Sequence, residues 1–538
     1  MAKGQSKPEI WAWEDDPGAP DSGAKPTQRP APVQPGTALP IAIEGRRPPP
    51  DLYETGTKEF RYWVAAEALR RGADLWSGSA PGLQWVGAVG AELTIRLDQG
   101  EDLNAYYDRS GLSFFHDEAD GVPVYSGESP DVLCHELGHA VLDALRPQTW
   151  DAPYLEVAAL HESFGDMSSV LSALQLDSVR AAVLVATKNR IYRSSRLSRL
   201  AEQLGWAIRQ EDPDATDRDC LREAVNSFFY VPPETLPDDG PASTLTSESH
   251  SFSRVFTAAF LESLAGMFGL DEAADEATLL RVSEDLALLL VDAVVAAPVV
   301  SSYYSQMAAH LIEADATRFA GKYTDVLKAA FVKRGILSLA SANAISTLRR
   351  AAPAPRTLAA AIGEGEPRLH LLALPGQPYG LDEDLLVPAI AETKRFAVAG
   401  AALDVGAVEP LAHDRAAAAF VEALFRGGRV LVTAGGGGTG AGRARPSSIT
   451  HEVRRTDEGL VLRRRLFAGG DKPEEAEERF VAGLVKRGEA VVPDNEGGEG
   501  PDLPPGATHE IVEEGDAGAG GQPKVRRRRF SISGRRKP

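Results

Sequence analysis

Cysteine is nearly missing from this chain of 538 residues: Cys134 and Cys220 are the only two. A disulfide framework is therefore not indicated. Cys134 stands in an apolar stretch, where it reads as a small buried hydrophobe rather than a nucleophile or metal thiolate. Long uncharged apolar runs are missing too. Stretches such as 286–299 are short or carry charge, and none reads as a membrane span. No apolar run follows Met1, so a standard secretory signal is not expected. A cytoplasmic location is the default expectation, with export by a signal-independent route left open. Positive charge is in deficit: 57 Lys and Arg against 77 Asp and Glu give a formal net charge of −20. That balance disfavours nucleic acid as the main partner. The length is enough for two or three domains with sizeable cores.

Against this background one stretch stands out, Cys134-His135-Glu136-Leu137-Gly138-His139-Ala140. Two histidines four residues apart lie one above the other on a helix face and can share a metal ion. Glu136 follows the first of them and can point at a metal-bound water as its general base. Val132, Leu133, Leu137, Ala140, Val141 and Leu145 supply apolar packing, Asp131 is a plausible N-cap or first-turn acid, and Pro147 limits the helix. A second helical pattern, about 155–171, carries Glu162 and Asp166 on one face. Glu162 can be a third zinc ligand, and Asp166 can accept the other ring N–H of a ligand histidine.

Around this centre the chain reads as follows. Residues 1–50 are rich in Pro, Gly and charge and are expected to be disordered; Trp11 and Trp13 are a docking pair or simply pack back onto the body. A helix from Glu59 to about Arg70 carries Phe60, Trp63, Val64 and Ala68 on one face, and Gly72 is expected to end it. Strands are expected at 93–97, 104–108 and 112–115, the last two joined by a turn at Arg109-Ser110-Gly111. A peptide could add to the exposed edge of this pair. Beyond Ser169 helix is expected to about Gln210, and another helix from Val255 to Phe268. Helices continue through 272–350. An Ala/Pro-rich boundary at 351–357 precedes a small α/β region, 365–475, with strands near 369–374 and 429–433, a helix at 414–425 and a β-ribbon from 451 to 463. The run Gly435–Gly442 lacks the helix a nucleotide-binding turn requires and reads as a hairpin or loop. Residues 490–538 are expected to be a disordered tail. Its basic end, Arg526–Arg529 and Arg535-Arg536-Lys537, could contact an acidic surface.

Residues 51–345 resemble thermolysin and its relatives, the gluzincin metalloproteases with two histidine ligands and a glutamate. The resemblance rests on His135-Glu136-Leu137-Gly138-His139-Ala140-Val141, on Glu162-Ser163-Phe164-Gly165-Asp166, and on Asn104-Ala105 shortly before the zinc helix. It implies one catalytic Zn²⁺ on His135, His139 and Glu162, with Glu136 as base and Asp166 as partner of His135. It also implies that Asn104 and Ala105 hold substrate backbone, and that His250 and Tyr154 donate to the oxyanion. The family's aspartate partner for that histidine stands further upstream, where this chain has Thr244-Leu245; Glu248 is close enough in sequence to orient His250 instead. His161 reads as a side chain packed off the helix face. Calcium is implied only loosely: Asp212, Asp214, Asp217 and Asp219, or Asp117, Glu118 and Asp120, lack EF-hand spacing and stay unassigned.

The expected architecture is α+β: a thermolysin-like two-lobed domain, β-containing at 51–150 and helical at 151–350, with the small α/β region and two disordered tails. The expected function is a zinc metalloendopeptidase acting on peptide or protein substrates. Two alternatives stand beside it: a non-catalytic scaffold that keeps the fold, and an exopeptidase of the same class.

Overall fold

The computed structural model describes residues 8–32, 39–338, 371–375, 386–390, 430–434, 438–440, 450–456, 459–465, 473–491, 506–514 and 522–532. It is a mixed α+β structure of helices and several small sheets. No single helix among the described residues is long and apolar enough to cross a membrane. The chain divides into two compact units, Met1–Val291 with Glu475–Pro538, and Asp292–Glu474.

The first unit opens with a hairpin, β1 (Glu9–Ala12) and β2 (Thr27–Pro30), followed by β3 (Ile41–Ile43). This corrects the expectation of a disordered start. Ile10 and Ala12 are buried, Trp13 meets Phe60 edge-on at 6.3 Å, and Asp16 accepts from Ser129 Oγ at 2.5 Å and from the Gln203 amide. A few apolar contacts and two buried carboxylates, Asp15 on Arg196 and Asp16 on Ser129, thus order a segment whose average composition argued otherwise.

Helix α1 (Lys58–Ser79) runs well past Gly72. A Cβ at Gly72 would lie 2.7 Å from Leu137 Cδ2, so this glycine serves a close helix–helix approach and not a C-cap. Next come β4 (Leu93–Arg96), β5 (Ala105–Tyr107) and β6 (Leu112–Phe114), near their expected positions, then the hairpin β7 (His116–Ala119) and β8 (Val122–Tyr125). Arg109, at φ 65°, and Gly111 make the turn between β5 and β6.

Two helices form the centre. α2 (Pro130–Leu145) starts on Ser129, whose hydroxyl accepts from Val132 N, with proline at its first position; Pro147 follows its end. α3 (Leu155–Ala173) packs along it and is buried throughout. α4 (Asp177–Thr187) then ends at Lys188 and Asn189, both left-handed, so the continuous helix expected to Gln210 is broken. Leu197 lies outside helix and Leu200 in β9 (Arg199–Leu200); helix returns as α5 (Glu202–Glu211). β10 (Arg222–Glu223) pairs with β9, and α6 (Ser249–Phe268) packs on α3. α7 (Glu276–Ala296) follows.

The second unit contains α8 (Tyr303–Arg318) and α9 (Thr324–Lys333), then β11 (Leu371–Pro375) paired with β12 (Leu386–Ile390). A four-stranded sheet is built from β13 (Val430–Ala434), β14 (Gly438–Gly440), β15 (Thr450–Thr456) and β16 (Gly459–Arg465). β13 and β14 pair antiparallel across part of the glycine run, and β15 with β16 forms the expected ribbon. The expected boundary at 351–357 and helix at 414–425 lie outside the described residues.

The chain then gives α10 (Pro473–Arg487), β17 (Ala490–Val491), β18 (His509–Glu514), β19 (Gln522–Arg527) and β20 (Phe530–Ser531). Strands β17, β18 and β19 form one sheet, and β20 joins another with order β20-β5-β6-β4-β3. The expectation of a disordered tail is thus corrected over these residues. Phe530 and Ile532, two apart, are both buried, as one face of a strand requires.

Candidate metal centre and peptide cleft

The helix pair brings His135, Glu136, His139 and Glu162 together in the interior, each no more than 2% exposed. The nearest ligand atoms of His135, Glu136 and His139 lie within 4.8 Å of one another. Glu162 Oε2 reaches the same place, 3.4 Å from His135 Nε2 and 3.7 Å from His139 Nε2. Beyond these ion-pair approaches, His135 Nε2, His139 Nε2, Glu162 Oε2 and both Glu136 oxygens have no hydrogen-bond partner. Burying that many polar atoms unpaired costs several kcal/mol, on the order of 1–3 for each. A divalent cation among them would satisfy the nitrogens and the carboxylate at once, so these residues fit a metal. Nitrogen and carboxylate donors together suit zinc.

The close approach of the two helices depends on glycine. A Cβ at Gly165 would lie 2.6 Å from His135 Nδ1 and Cε1, and one at Gly138 2.9 Å from the Gly165 Cα. With no side chain at 165, the His135 ring lies directly on the α3 backbone. Its Nδ1 is 3.1 Å from Asp166 Oδ1, which fixes the ring orientation and leaves Nε2 facing His139 and Glu162.

Asp166 is itself held. Arg222 Nη2 donates to it at 2.8 Å, and Thr257 Oγ1 at 3.4 Å. Burial raises the Asp166 pKa, but Arg222 and His135 outweigh it and bring the carboxyl down to about 2. Burial pushes Glu136 up to about 8, against the pull of His135 and with a push from Glu162. His139 is held well below the usual histidine value, mainly by burial.

His250 belongs to the first turn of α6 rather than a preceding loop. Glu248 caps the helix, accepting from the amides of His250 at 2.9 Å and Ser251 at 2.8 Å. The same carboxylate lies 2.6 Å from His250 Nδ1. Glu248 therefore fixes the orientation of the His250 ring. His250 Nε2 lies 3.2 Å from Glu162 Oε2. Burial opposes charge on His250, yet Glu162 and Glu248 hold its pKa well above the usual value.

Tyr154 stands at the N-cap of α3, and Asn104 is buried just before β5 with its Oδ1 accepting the Ala105 amide. Strand β5 is tied to α2 by Asp143, which accepts from Tyr107 Oη at 2.8 Å and from Arg109 at 2.6 and 2.8 Å. His161 is packed, as expected, with Nε2 2.8 Å from Thr149 Oγ1. Cys134 is buried, with its thiol pushed up to about 11 by burial. The acidic runs near 117–120 and 212–219 do not gather into a metal-sized cluster among the described residues.

Sequence reasoning missed two features. One is Arg222, a single arginine in a two-residue strand, with nothing in its neighbourhood to mark it. The other is the occupant of the β5 edge. That edge is not exposed: β20 of the same chain pairs antiparallel with it, Phe530 opposite Tyr107 and Ser531 opposite Tyr106. The Phe530 ring stacks on His139 at 4.7 Å and on His161 at 3.9 Å between centroids.

No protein-family model matches this chain, and no curated protein matches it. Among solved structures it is similar to the precursor of protealysin, a metalloproteinase from Serratia proteamaculans. The identity is 14%, over 63% of this chain and 89% of that one, with a TM-score of 0.35. At that level of likeness the site has to be argued from its own residues.

Proposed function

We propose that this chain is a zinc-dependent endopeptidase. The observation that carries the proposal is the convergence of buried ligand atoms of His135, His139 and Glu162 around one point, with the Glu136 carboxylate, which has no hydrogen-bond partner, among them. In this reading His135, His139 and Glu162 hold the metal, Asp166 fixes His135, and the peptide lies along β5.

Zinc held by His135, His139 and Glu162 would supply a water acidified enough to attack at neutral pH and would polarise the scissile carbonyl. The rest is the work of the chain. Glu136 takes the proton from the water and passes it to the leaving nitrogen. His250, oriented by Glu248 at its Nδ1, donates from Nε2 to the developing oxyanion. Tyr154 is assigned as a second donor from the loop that leads into α3. Asn104 and Ala105 hold the peptide backbone in extended form, and Arg222 grips a carbonyl on the leaving side. With β20 displaced, the β5 edge would accept a peptide anywhere along its length, which favours internal bonds over chain ends.

The non-catalytic scaffold is the second reading, favoured by the occupied β5 edge. One experiment separates them: zinc content and hydrolysis of a quenched-peptide library, for the parent, Glu136→Gln and Glu162→Gln. The enzyme reading expects about one zinc per chain in the parent and in Glu136→Gln, with cleavage reduced at least ~100-fold in Glu136→Gln. Glu162→Gln should lose zinc. Cleavage by Glu136→Gln at the parental rate would refute the assignment of the base.

A further inference from the structure

The strand on the β5 edge is held as a substrate would be, and each backbone group around one bond has a partner. The Ser531 carbonyl oxygen lies 2.7 Å from His250 Nε2, the nitrogen that also approaches Glu162. One residue on, the Ile532 amide donates to the Ala105 carbonyl at 3.0 Å. The Ile532 carbonyl accepts from Arg222 Nη1 at 2.9 Å. Upstream, the Ser531 hydroxyl donates to Asn104 Oδ1 at 2.7 Å, and Arg527 Nε donates to the Trp150 carbonyl at 3.0 Å. The Arg527 guanidinium covers the outer side of the Phe530 ring, 4.0 Å from its centre, and Arg529 lies over Tyr106.

These contacts single out the peptide bond between Ser531 and Ile532. It is the bond whose carbonyl faces the oxyanion donor and whose two flanking groups are fixed by Ala105 and Arg222. Ile532 also lines a cavity of about 550 Å³, walled by Arg222, Glu248, His250, Arg254 and Glu489. A segment serving only to block the cleft would not need its carbonyl turned to the donor or its next amide and carbonyl clamped.

We propose that the Ser531–Ile532 bond is an intramolecular substrate of this site: the chain cuts itself there, and until it does so its own strand fills the cleft. The proposal rests on the endopeptidase reading. In the step, the water oxygen bonds to the Ser531 carbonyl carbon and the C–N bond to Ile532 breaks. Ser531 becomes a carboxylate terminus. The Ile532 nitrogen leaves as an amine, with the proton that Glu136 took from the water.

The test uses the full 538-residue chain as parent, Glu136→Gln, Ile532→Pro and Phe530→Asp. Each is incubated with and without one equivalent of zinc and followed by intact-mass spectrometry, at several protein concentrations. The zinc-loaded parent should convert to a species ending at Ser531 and a fragment beginning at Ile532, with a rate independent of protein concentration. Glu136→Gln should stay whole. Ile532→Pro, which has no amide hydrogen to give Ala105, should stay whole at this bond while still hydrolysing a peptide added above the millimolar effective concentration of the tethered strand. In Glu136→Gln, hydrogen exchange at Ala105–Tyr107 should be slow, and in a Phe530→Asp, Glu136→Gln double variant at least ~10-fold faster; this readout needs no activity. A parent that cleaves added peptides but keeps its own Ser531–Ile532 bond would overturn the self-cleavage and leave the endopeptidase reading standing. Cleavage elsewhere, for instance within Arg526–Arg529, or equal cleavage of Glu136→Gln, would overturn it as well. Failure of every added peptide and of the tail would remove both readings together.

Discussion

Gly165→Ala tests how His135 is placed. The new Cβ would stand 2.6 Å from Nδ1 and Cε1 of the ring and 2.8 Å from Cγ, where ordinary contact starts at 3.4 Å. The shortfall is 3.4 − 2.6 = 0.8 Å. The ring cannot simply swing away, because Nδ1 is bonded to Asp166 and the side chain is 2% exposed. Either the ring tilts, breaking the bond to Asp166, or α3 moves off α2. Overpacking of this kind costs about 1–3 kcal/mol. Loss of the Asp166 orientation costs a further ~10–100-fold in metal affinity. The assay is urea denaturation of the metal-free protein for the first quantity and competition with a chromogenic chelator for the second. Gly78→Ala is the control: it lies in α1 with nothing within 4 Å of its added Cβ. It should stabilise by roughly 0.5–1 kcal/mol through helix propensity. If Gly165→Ala matches the parent in both stability and zinc affinity, the ring is not positioned by contact with the α3 backbone.

Other outcomes follow from the same structure. Arg222→Lys keeps the charge but loses the fork that reaches Asp166 and the Ile532 carbonyl together. It should retain zinc, raise KM for added peptides and lower kcat/KM by roughly tenfold or more; unchanged kinetics would remove Arg222 from peptide binding. Glu128, before α2, is raised by burial to about 7 despite Arg61. An acid with a raised folded-state pKa destabilises fully above that value, and the penalty fades as pH falls towards its unfolded value near 4.5. The stability of Glu128→Gln relative to the parent should therefore be more favourable at pH 8 than at pH 5, by up to about 3 kcal/mol. A difference constant across that range, measured by denaturation, would refute the burial argument.

The helices α2 and α3 were legible because their signals are local. Ser129, Pro130 and Pro147 mark the ends of α2, and spacing alone puts His135 with His139 and Glu162 with Asp166 on single faces. Where meaning depended on a distant partner, the sequence misled. Gly72 has the composition of a helix stop, but Leu137, sixty-five positions away, makes it a contact glycine. Asp16 looked like one more charge in a polar arm until Ser129 and Gln203 supplied its partners. The end of the chain is the clearest case. Four successive arginines and many glycines lower the mean hydropathy, so Phe530 and Ile532 do not register as a strand. Arg527 is tolerated in the interior only because the Trp150 carbonyl and the Phe530 ring receive it.

Beside the β20–β5 pairing, the Ser531 hydroxyl bonds Asn104, 427 positions away in the same molecule, and this tether sets the terms on which anything else can compete. A tethered ligand is present at an effective concentration on the order of millimolar, whatever the protein concentration. A free peptide of equal intrinsic affinity must exceed roughly that level to hold half of the clefts. Until that strand leaves, micromolar peptide should be turned over slowly and millimolar peptide faster, and dilution of the protein would not change this. Release has to come from an event that acts on the tether itself.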